Sequence, residues 1–415
     1  MTMNKNKIIT FLFVLVIFYF PIHATCSCIL AHAKLDSSKI VDWEKLYPYS
    51  SKNNKTSTNV FMVFEKINEK IKSKIATIEE KFKNYIPYKI KLTEFQMMIS
   101  KLLGTRLFIE KNGLIVLNND YLDFYATSNS TIFAQKSTID LFHYCKYLNS
   151  DFIFVVYPCK KSKFDNQLPK GLKDNENTAG DEFLSYLRKN KVKSLDLREV
   201  AKNDYRLQYE MFFRTDHHWK PTTGLWASKV ISSHLNNEFG YKINTSILDK
   251  YNYKITTLHN FFLGSQGKKI TLTYTKPDDF DIVEPKFETN FQRFCPDWGD
   301  ASGSFKDLIF DYSRVKENDI YKSNPYYFYL HRDEAYLRLI NNSPSVYKKV
   351  CLVKDSFSVV VAPFLALGIK DLIIIDTRHF TGSIKTFLQK EKFDLVIVAY
   401  TVTSLIGENK FFDFD

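Results

Sequence analysis

Val350-Cys351-Leu352-Val353-Lys354-Asp355-Ser356-Phe357-Ser358 joins an apolar run to an acidic residue and a serine. A run of strand length that is apolar at consecutive rather than alternate positions predicts a strand buried on both faces. Lys349 to Lys354 reads as that strand, and Ser356 to Leu367 as an apolar helix closed by Gly368, a natural helix-terminating residue. Ser356 then falls at a strand-to-helix turn. Open parallel sheets present ligand-binding groups there, and the amides of a helix N-terminus can hold an oxyanion.

Further out, Asp151 to Pro158, Leu372 to Asp376 and Asp394 to Tyr400 are runs of the same kind. Asn129 to Asn149 and Gly180 to Asn190 carry helical spacing, and Val192 to Arg198 reads as another strand. This alternation predicts an α/β domain of three layers around a central parallel sheet. Lys111 to Leu117 reads as a turn entering a strand, so the domain is expected over residues 105–415. From about 240 to 341 tyrosine, phenylalanine, threonine and proline dominate, with alternating runs such as Lys269 to Tyr274. That stretch predicts a β-rich insertion lying over the α/β layer.

A nucleophilic serine needs a base and an orienting acid. Phe212-Phe213-Arg214-Thr215-Asp216-His217-His218-Trp219-Lys220-Pro221 supplies both types. In an extended segment residues i and i+2 share a side, so Asp216 can receive the Nδ1–H of His218 and leave Nε2 free as the base. Pro221 suits the first turn of a helix whose buried face is Leu225, Trp226, Val230, Ile231 and Leu235. Each half alone has a plainer reading, because polar loop residues and Asp-Ser pairs are ordinary helix caps. Both halves in one chain favour a triad. A metal bound by Asp216, His217 and His218 is disfavoured, because adjacent histidines should point apart and no further ligand cluster follows. No metal and no cofactor are expected.

The first 34 residues read as a signal peptide or signal anchor. Lys5 and Lys7 precede an apolar run from Ile8 to Phe20 that continues with interruptions to Leu30. Ala31-His32-Ala33 resembles a cleavage site, while the run to Leu30 is also long enough to span a bilayer uncut. Either version places the remainder outside the cytoplasm. Residues 35–104 are polar and lysine-rich and read as a stalk, with an exposed helix from Asn59 to Tyr88. Net charge is +12, but the lysines form no dense patch and no nucleic-acid-binding spacing is present. Nucleic acid is therefore excluded in favour of anionic lipid or cell-wall polymer. Cys26 and Cys28 lie in the export segment; Cys145, Cys159, Cys295 and Cys351 are dispersed without metal spacing. Cys145 and Cys159 flank a strand and can be read either as a disulfide or as two free thiols.

Thr215-Asp216-His217-His218-Trp219 with Pro221 resembles the signature of the bacterial DHHW proteins, related to the SGNH hydrolase-like domains of the alginate O-acetylation proteins AlgJ and AlgX. Leu195 to Arg198, Phe262 to Lys269, Pro285 to Phe291, Lys354 to Ser358 and Ile375 to Phe380 match further pieces in the same order. The resemblance implies Ser356 as nucleophile, His218 as base and Asp216 as its orienter, in a permuted order with the pair before the serine. It departs in two places. Lys354 stands where the wider group has glycine, and no Gly-x-Asn-Asp block supplies an oxyanion side chain. Tyr400, Arg378, Trp219 and His217 are the candidates for oxyanion or substrate contact. The implied activity is acyl transfer, in particular O-acetylation of a cell-surface or secreted polysaccharide, with a membrane O-acyltransferase as the source of acetyl groups. An acyl esterase of the same fold and a non-catalytic polysaccharide-binding or assembly factor are the alternatives.

Overall fold

The runs that are apolar at consecutive positions, Asp151–Tyr157, Val346–Lys354, Ile369–Ile375 and Leu395–Thr401, form the middle of one sheet. Most of their residues are buried, as packing on both faces requires. The computed structural model describes residues 89–109, 113–204, 208–317 and 319–415, and the chain divides into two units, 1–95 and 96–415. The expected export segment and the expected helix from Asn59 to Tyr88 lie outside the described residues. Among the described residues no helix is long and apolar enough to cross a membrane.

Helix α1 (Lys89–Leu102) is followed by β1 (Leu107–Phe108), β2 (Leu114–Val116) and β3 (Leu122–Phe124), a small antiparallel sheet. Helix α2 (Ile132–Tyr147) leads into β4 (Asp151–Tyr157), and α3 (Asn175–Lys189) into β5 (Ser194–Asp196) and α4 (Leu197–Asp204). Helix α5 (Pro221–Phe239) precedes the hairpin of β6 (Tyr253–Phe262) and β7 (Asp278–Pro285), with α6 (Ser265–Tyr274) inside its connection. Then come β8 (Phe291–Phe294), β9 (Ala301–Gly303), α7 (Phe305–Ile309), β10 (Tyr336–Asn341) and β11 (Val346–Lys354). A 3₁₀ turn at Ser356–Val360, α8 (Ala362–Ala366), β12 (Ile369–Ile375), α9 (Ile384–Glu391) and β13 (Leu395–Thr401) follow.

The eight-stranded sheet runs β5-β4-β13-β11-β12-β10-β8-β9. From β5 to β12 neighbours are parallel; β10, β8 and β9 add on antiparallel. The sheet is therefore mixed, which corrects the expected parallel one. The link from β8 to β9 is too short for a parallel crossover, and β10 buries alternate residues, the pattern of an antiparallel strand. Residues 240–341 thus divide. The β6–β7 hairpin packs Phe262, Phe280 and Val283 on one face of the sheet, and the remaining strands extend the sheet itself.

Alternate residues of the central strands separate two cores. Phe154, Val353 and Val398 meet α2, α3 and α9 on one face. Val155, Leu352 and Ile397 meet α5, α8 and the hairpin on the other. Three local expectations change. Lys269 to Tyr274 is helical, with Thr271 at φ 60 where the helix kinks, and belongs to the connection between β6 and β7 rather than to a strand. Leu197 and Arg198 begin a helix. Gly368 is not left-handed; a Cβ there would come within 2.6 Å of Ile243, so the glycine serves close packing. Cys145 and Cys159 are buried free thiols.

Candidate active site

Two turns meet at the ends of the parallel strands. The first is residues 214–218, a loop of bends closed by an isolated bridge between Phe212 and Trp219. Asp278 holds it from beneath, accepting from the Arg214 amide at 2.8 Å, the Thr215 amide at 2.8 Å and the Thr215 hydroxyl at 2.6 Å. The segment is not extended, as the spacing argument assumed. His218 folds back so that its own amide donates to Asp216 Oδ1 at 3.1 Å, a turn typical of Asp side chains. The ring reaches the same oxygen, with Nδ1 at 2.6 Å.

The second turn carries Ser356. Asp355 accepts from the Phe357 amide at 3.1 Å through Oδ1, and from the Thr401 amide at 2.7 Å and the Ser404 hydroxyl at 3.0 Å through Oδ2. That ties the turn to the end of β13 and leaves Ser356 as the cap's outward neighbour. Helix α5 brings the two turns together. Gly224 lets it lie on the serine turn, where a Cβ would sit 2.1 Å from the Val360 carbonyl oxygen, and the Ser228 hydroxyl donates to Val361 O at 2.9 Å. As a result His218 Nε2 lies 2.7 Å from Ser356 Oγ.

Asp216, His218 and Ser356 are thus joined by an unbroken chain of short hydrogen bonds. Asp216 is buried. Burial would raise its carboxyl, yet His217, His218 and the Ser265 amide outweigh that and hold it well below the usual carboxylate range. The Ser265 amide donates to Asp216 Oδ2 at 2.6 Å from the start of α6, where a helix favours negative charge. Gly264 makes the approach possible, since a Cβ there would stand 2.3 Å from the Asp216 Cβ.

His217 does not point away from His218 as expected; the ring centroids are 3.8 Å apart. It also faces Asp216, at 3.5 Å. Although 37% of its side chain is open to the pocket, desolvation and the neighbouring His218 push it down to about 4, against the pull of Asp216. Asp216, His217 and His218 offer ligand atoms within 4.8 Å of one another. The His218 nitrogens and Asp216 Oδ1 are, however, already engaged in the bonds that lead to Ser356.

Ser356, His217, Phe357, Phe124, Arg378 and Phe411 line a cavity of about 250 Å³. A larger hollow of about 620 Å³, lined by Glu284, Glu288 and Lys306, contains none of these groups. Arg378 reaches the small pocket from a braced position. It donates to Asp376 at 2.9 and 2.6 Å and pairs with Asp333 at 3.2 Å. Lys354 spans the same two carboxylates, at 2.5 Å from Asp333 and 3.1 Å from Asp376. Trp219 and Tyr400 are corrected as contact candidates, because both are fully buried. The Trp219 indole donates to Phe357 O at 2.9 Å, tying the histidine loop to the serine turn. The Tyr400 hydroxyl donates to Phe411 O at 2.6 Å inside the core.

Sequence reasoning missed Asp278, Gly264, Ser265, Tyr326 and Lys160. Lys160 donates to the Leu122 carbonyl and to Gln266 Oε1, and burial pushes it down to about 8 despite nearby Asp123 and Asp216. Gly264 and Ser265 lie in the Phe262 to Lys269 piece of the resemblance without a role assigned, and the other three stand in no spacing that announces them.

The chain has an SGNH hydrolase-like α/β fold with a mixed central sheet. Residues 145–260 match the family model described as the SGNH hydrolase-like domain of the acetyltransferase AlgX. That segment contains Asp216, His217 and His218 and ends before Ser356. Among solved structures, PatB1 of Bacillus cereus aligns with a TM-score of 0.57 and 21% identity, covering 73% of this chain and 100% of that one. The same protein with a sulfonyl adduct aligns at 0.56 and 20%, covering 73% and 99%. A DHHW family protein of Eubacterium siraeum aligns at 0.53 and 16%, covering 72% and 92%. These likenesses are of fold. A comparison with curated proteins gives no match.

Proposed function

We propose that this chain transfers an acyl group, acetyl in particular, to a hydroxyl of a polysaccharide outside the cytoplasm. The observation that carries the reading is the Asp216–His218–Ser356 relay, with His218 Nε2 at 2.7 Å from Ser356 Oγ. His218 takes the Ser356 proton as Oγ attacks the acyl carbonyl, and Asp216 holds the ring's tautomer and stabilises the imidazolium. The tetrahedral intermediate collapses, the leaving group takes the proton from His218, and an acyl-serine remains. A sugar hydroxyl then gives its proton to His218 and attacks that ester, and His218 returns the proton to Ser356 Oγ as it leaves. The Phe357 amide is committed to Asp355. The match to an acetyltransferase domain supports acetyl as the group, and the resemblance to the alginate O-acetylation proteins supports polysaccharide as the acceptor. The basic and apolar N-terminal segment supports export, with membrane attachment or secretion. A membrane O-acyltransferase is the proposed source of acetyl groups.

The test uses phenylmethylsulfonyl fluoride and nitrophenyl acetate. Wild-type protein should gain one sulfonyl adduct at Ser356 and release nitrophenol, and Ser356→Ala should do neither while melting normally. Equal behaviour of the two proteins would overturn the triad. With glycan acceptor present, acetylated glycan means transfer and acetate alone means hydrolysis.

A further inference from the structure

The base must gain and lose a proton while its ring stays aimed at Ser356. The Asp216 bond fixes Nδ1, but the bond from Nε2 to Ser356 is the one that breaks and re-forms, so the ring needs a constraint on its face as well. A second constraint comes from Tyr326. Its ring lies 4.0 Å from that of His218 between centroids and 16° from parallel. Tyr326 is 1% exposed. Its hydroxyl donates to Ser356 O at 3.1 Å and to Phe357 O at 3.3 Å. One side chain therefore covers the ring of the base and is bonded to the turn that carries the nucleophile.

The segment that delivers Tyr326 is built for the purpose. Pro325 opens a 3₁₀ turn over Pro325–Phe328. Leu330 and His331 then take φ of 55° and 63°, consecutive left-handed positions that side chains disfavour. They reverse the chain so that Asp333 reaches Lys354 and Arg378, and the Tyr327 hydroxyl donates to Asp333 at 3.0 Å. The same short segment thus touches the base, the backbone of the nucleophile turn and the ion cluster at the end of β11.

We propose that Tyr326 is a positioning residue for proton transfer: its ring holds the His218 imidazole in the plane that points Nε2 at Ser356, and its π face stabilises the imidazolium formed in the transition state. This rests on the triad reading above. A tyrosine filling core space would satisfy its hydroxyl on any carbonyl; here both acceptors belong to residues 356 and 357. The face of an aromatic ring attracts a cation, and His218 becomes one only while it holds the serine proton.

The experiment compares full-length wild type, Tyr326→Phe and Tyr326→Leu. Three quantities are read: the rate of Ser356 sulfonylation by phenylmethylsulfonyl fluoride, the low-field proton resonance of the His218 Nδ1–H, and the melting temperature. Tyr326→Phe keeps the ring and should react within about threefold of wild type with the resonance retained. Tyr326→Leu should react roughly tenfold more slowly or worse, the size of a lost cation–π contact, with the resonance broadened. Tyr326→Met replaces it if the leucine variant does not fold. Wild-type reactivity in the leucine or methionine variant overturns the proposal, as does a phenylalanine variant as slow as the leucine one. So does a rate that falls only in step with melting temperature. Failure of the wild-type protein to sulfonylate at Ser356 would instead sink the triad, and is read separately.

Discussion

His217 and His218 both face Asp216, and distance ranks them. His218 Nδ1 is at 2.6 Å and His217 Nδ1 at 3.5 Å, and His218 alone has its second nitrogen on Ser356. His218→Ala should fall to background in nitrophenyl acetate turnover, whereas His217→Ala should keep a substantial part. Asp216→Asn should cost up to about 10⁴-fold in kcat, as when an amide replaces the buried aspartate of serine proteases and holds the wrong tautomer. A dead His217→Ala beside an active His218→Ala would reassign the base. His217 also sets an acid dependence of stability. It sits at about 4 in the fold, against 6.5 ordinarily, so between those values the unfolded chain binds more protons and stability falls as pH falls. Asp216, held well below 3.8, adds a loss that begins only as pH drops beneath that value. Urea unfolding of His217→Ala should therefore flatten between pH 6.5 and 4, with His234, also lowered, keeping a remainder, while the loss at lower pH persists.

Two close approaches between elements decide whether the residues meet. Gly224 admits the serine turn to α5, and Gly264 admits α6 to Asp216. The second is the more informative to disturb, because it touches the site without touching Ser356. In Gly264→Ala the new Cβ would stand 2.5 Å from Thr215 O as well as 2.3 Å from the Asp216 Cβ, contacts that real side chains avoid. Overpacking of this kind costs about 1–3 kcal/mol of stability, and displacing the loop by even part of an ångström should slow sulfonylation of Ser356 by tenfold or more, on the order seen for misplaced catalytic groups. Urea unfolding and adduct formation, followed by mass, measure the two effects. A variant with wild-type rate would show that α6 merely abuts the loop.

At the scale of the molecule, the ends of β11 and β12 and the loop before β10 are locked by the Lys354, Arg378, Asp333 and Asp376 cluster. Lys354 is 2% exposed. Where the resemblance implies glycine, this chain has placed a cation two residues before Ser356 and supplied two carboxylates to meet it. Burial works against the Asp333 carboxyl, but Lys354 and Arg378 overcome it and hold the group below its ordinary range. Lys354→Met should destabilise the protein by about 3 kcal/mol, the lower end for breaking a buried ion pair, since Arg378 still meets both acids. Denaturant midpoints check it, and an unchanged midpoint would mean that the cluster contributes nothing net.

The central strands, the helix after Pro221 and the pairing of Asp216 with His218 were legible in the chain because each rests on neighbours in sequence. Consecutive apolar residues mark a strand buried on both faces and proline marks a helix start; the Asp216–His218 pair reads from an extended spacing, whereas a tight turn is what brings the two together. The contacts that complete the site lie far apart along the chain. Tyr326 is one tyrosine among 25, and only folding stacks it on His218. Gly264 and Ser265 lie just before the alternating run Lys269 to Tyr274, and only folding brings the Ser265 amide to the Asp216 carboxylate. The mixed sheet has the same origin: β10 chooses its neighbour by the face it can bury, and that face is supplied by strands distant in sequence.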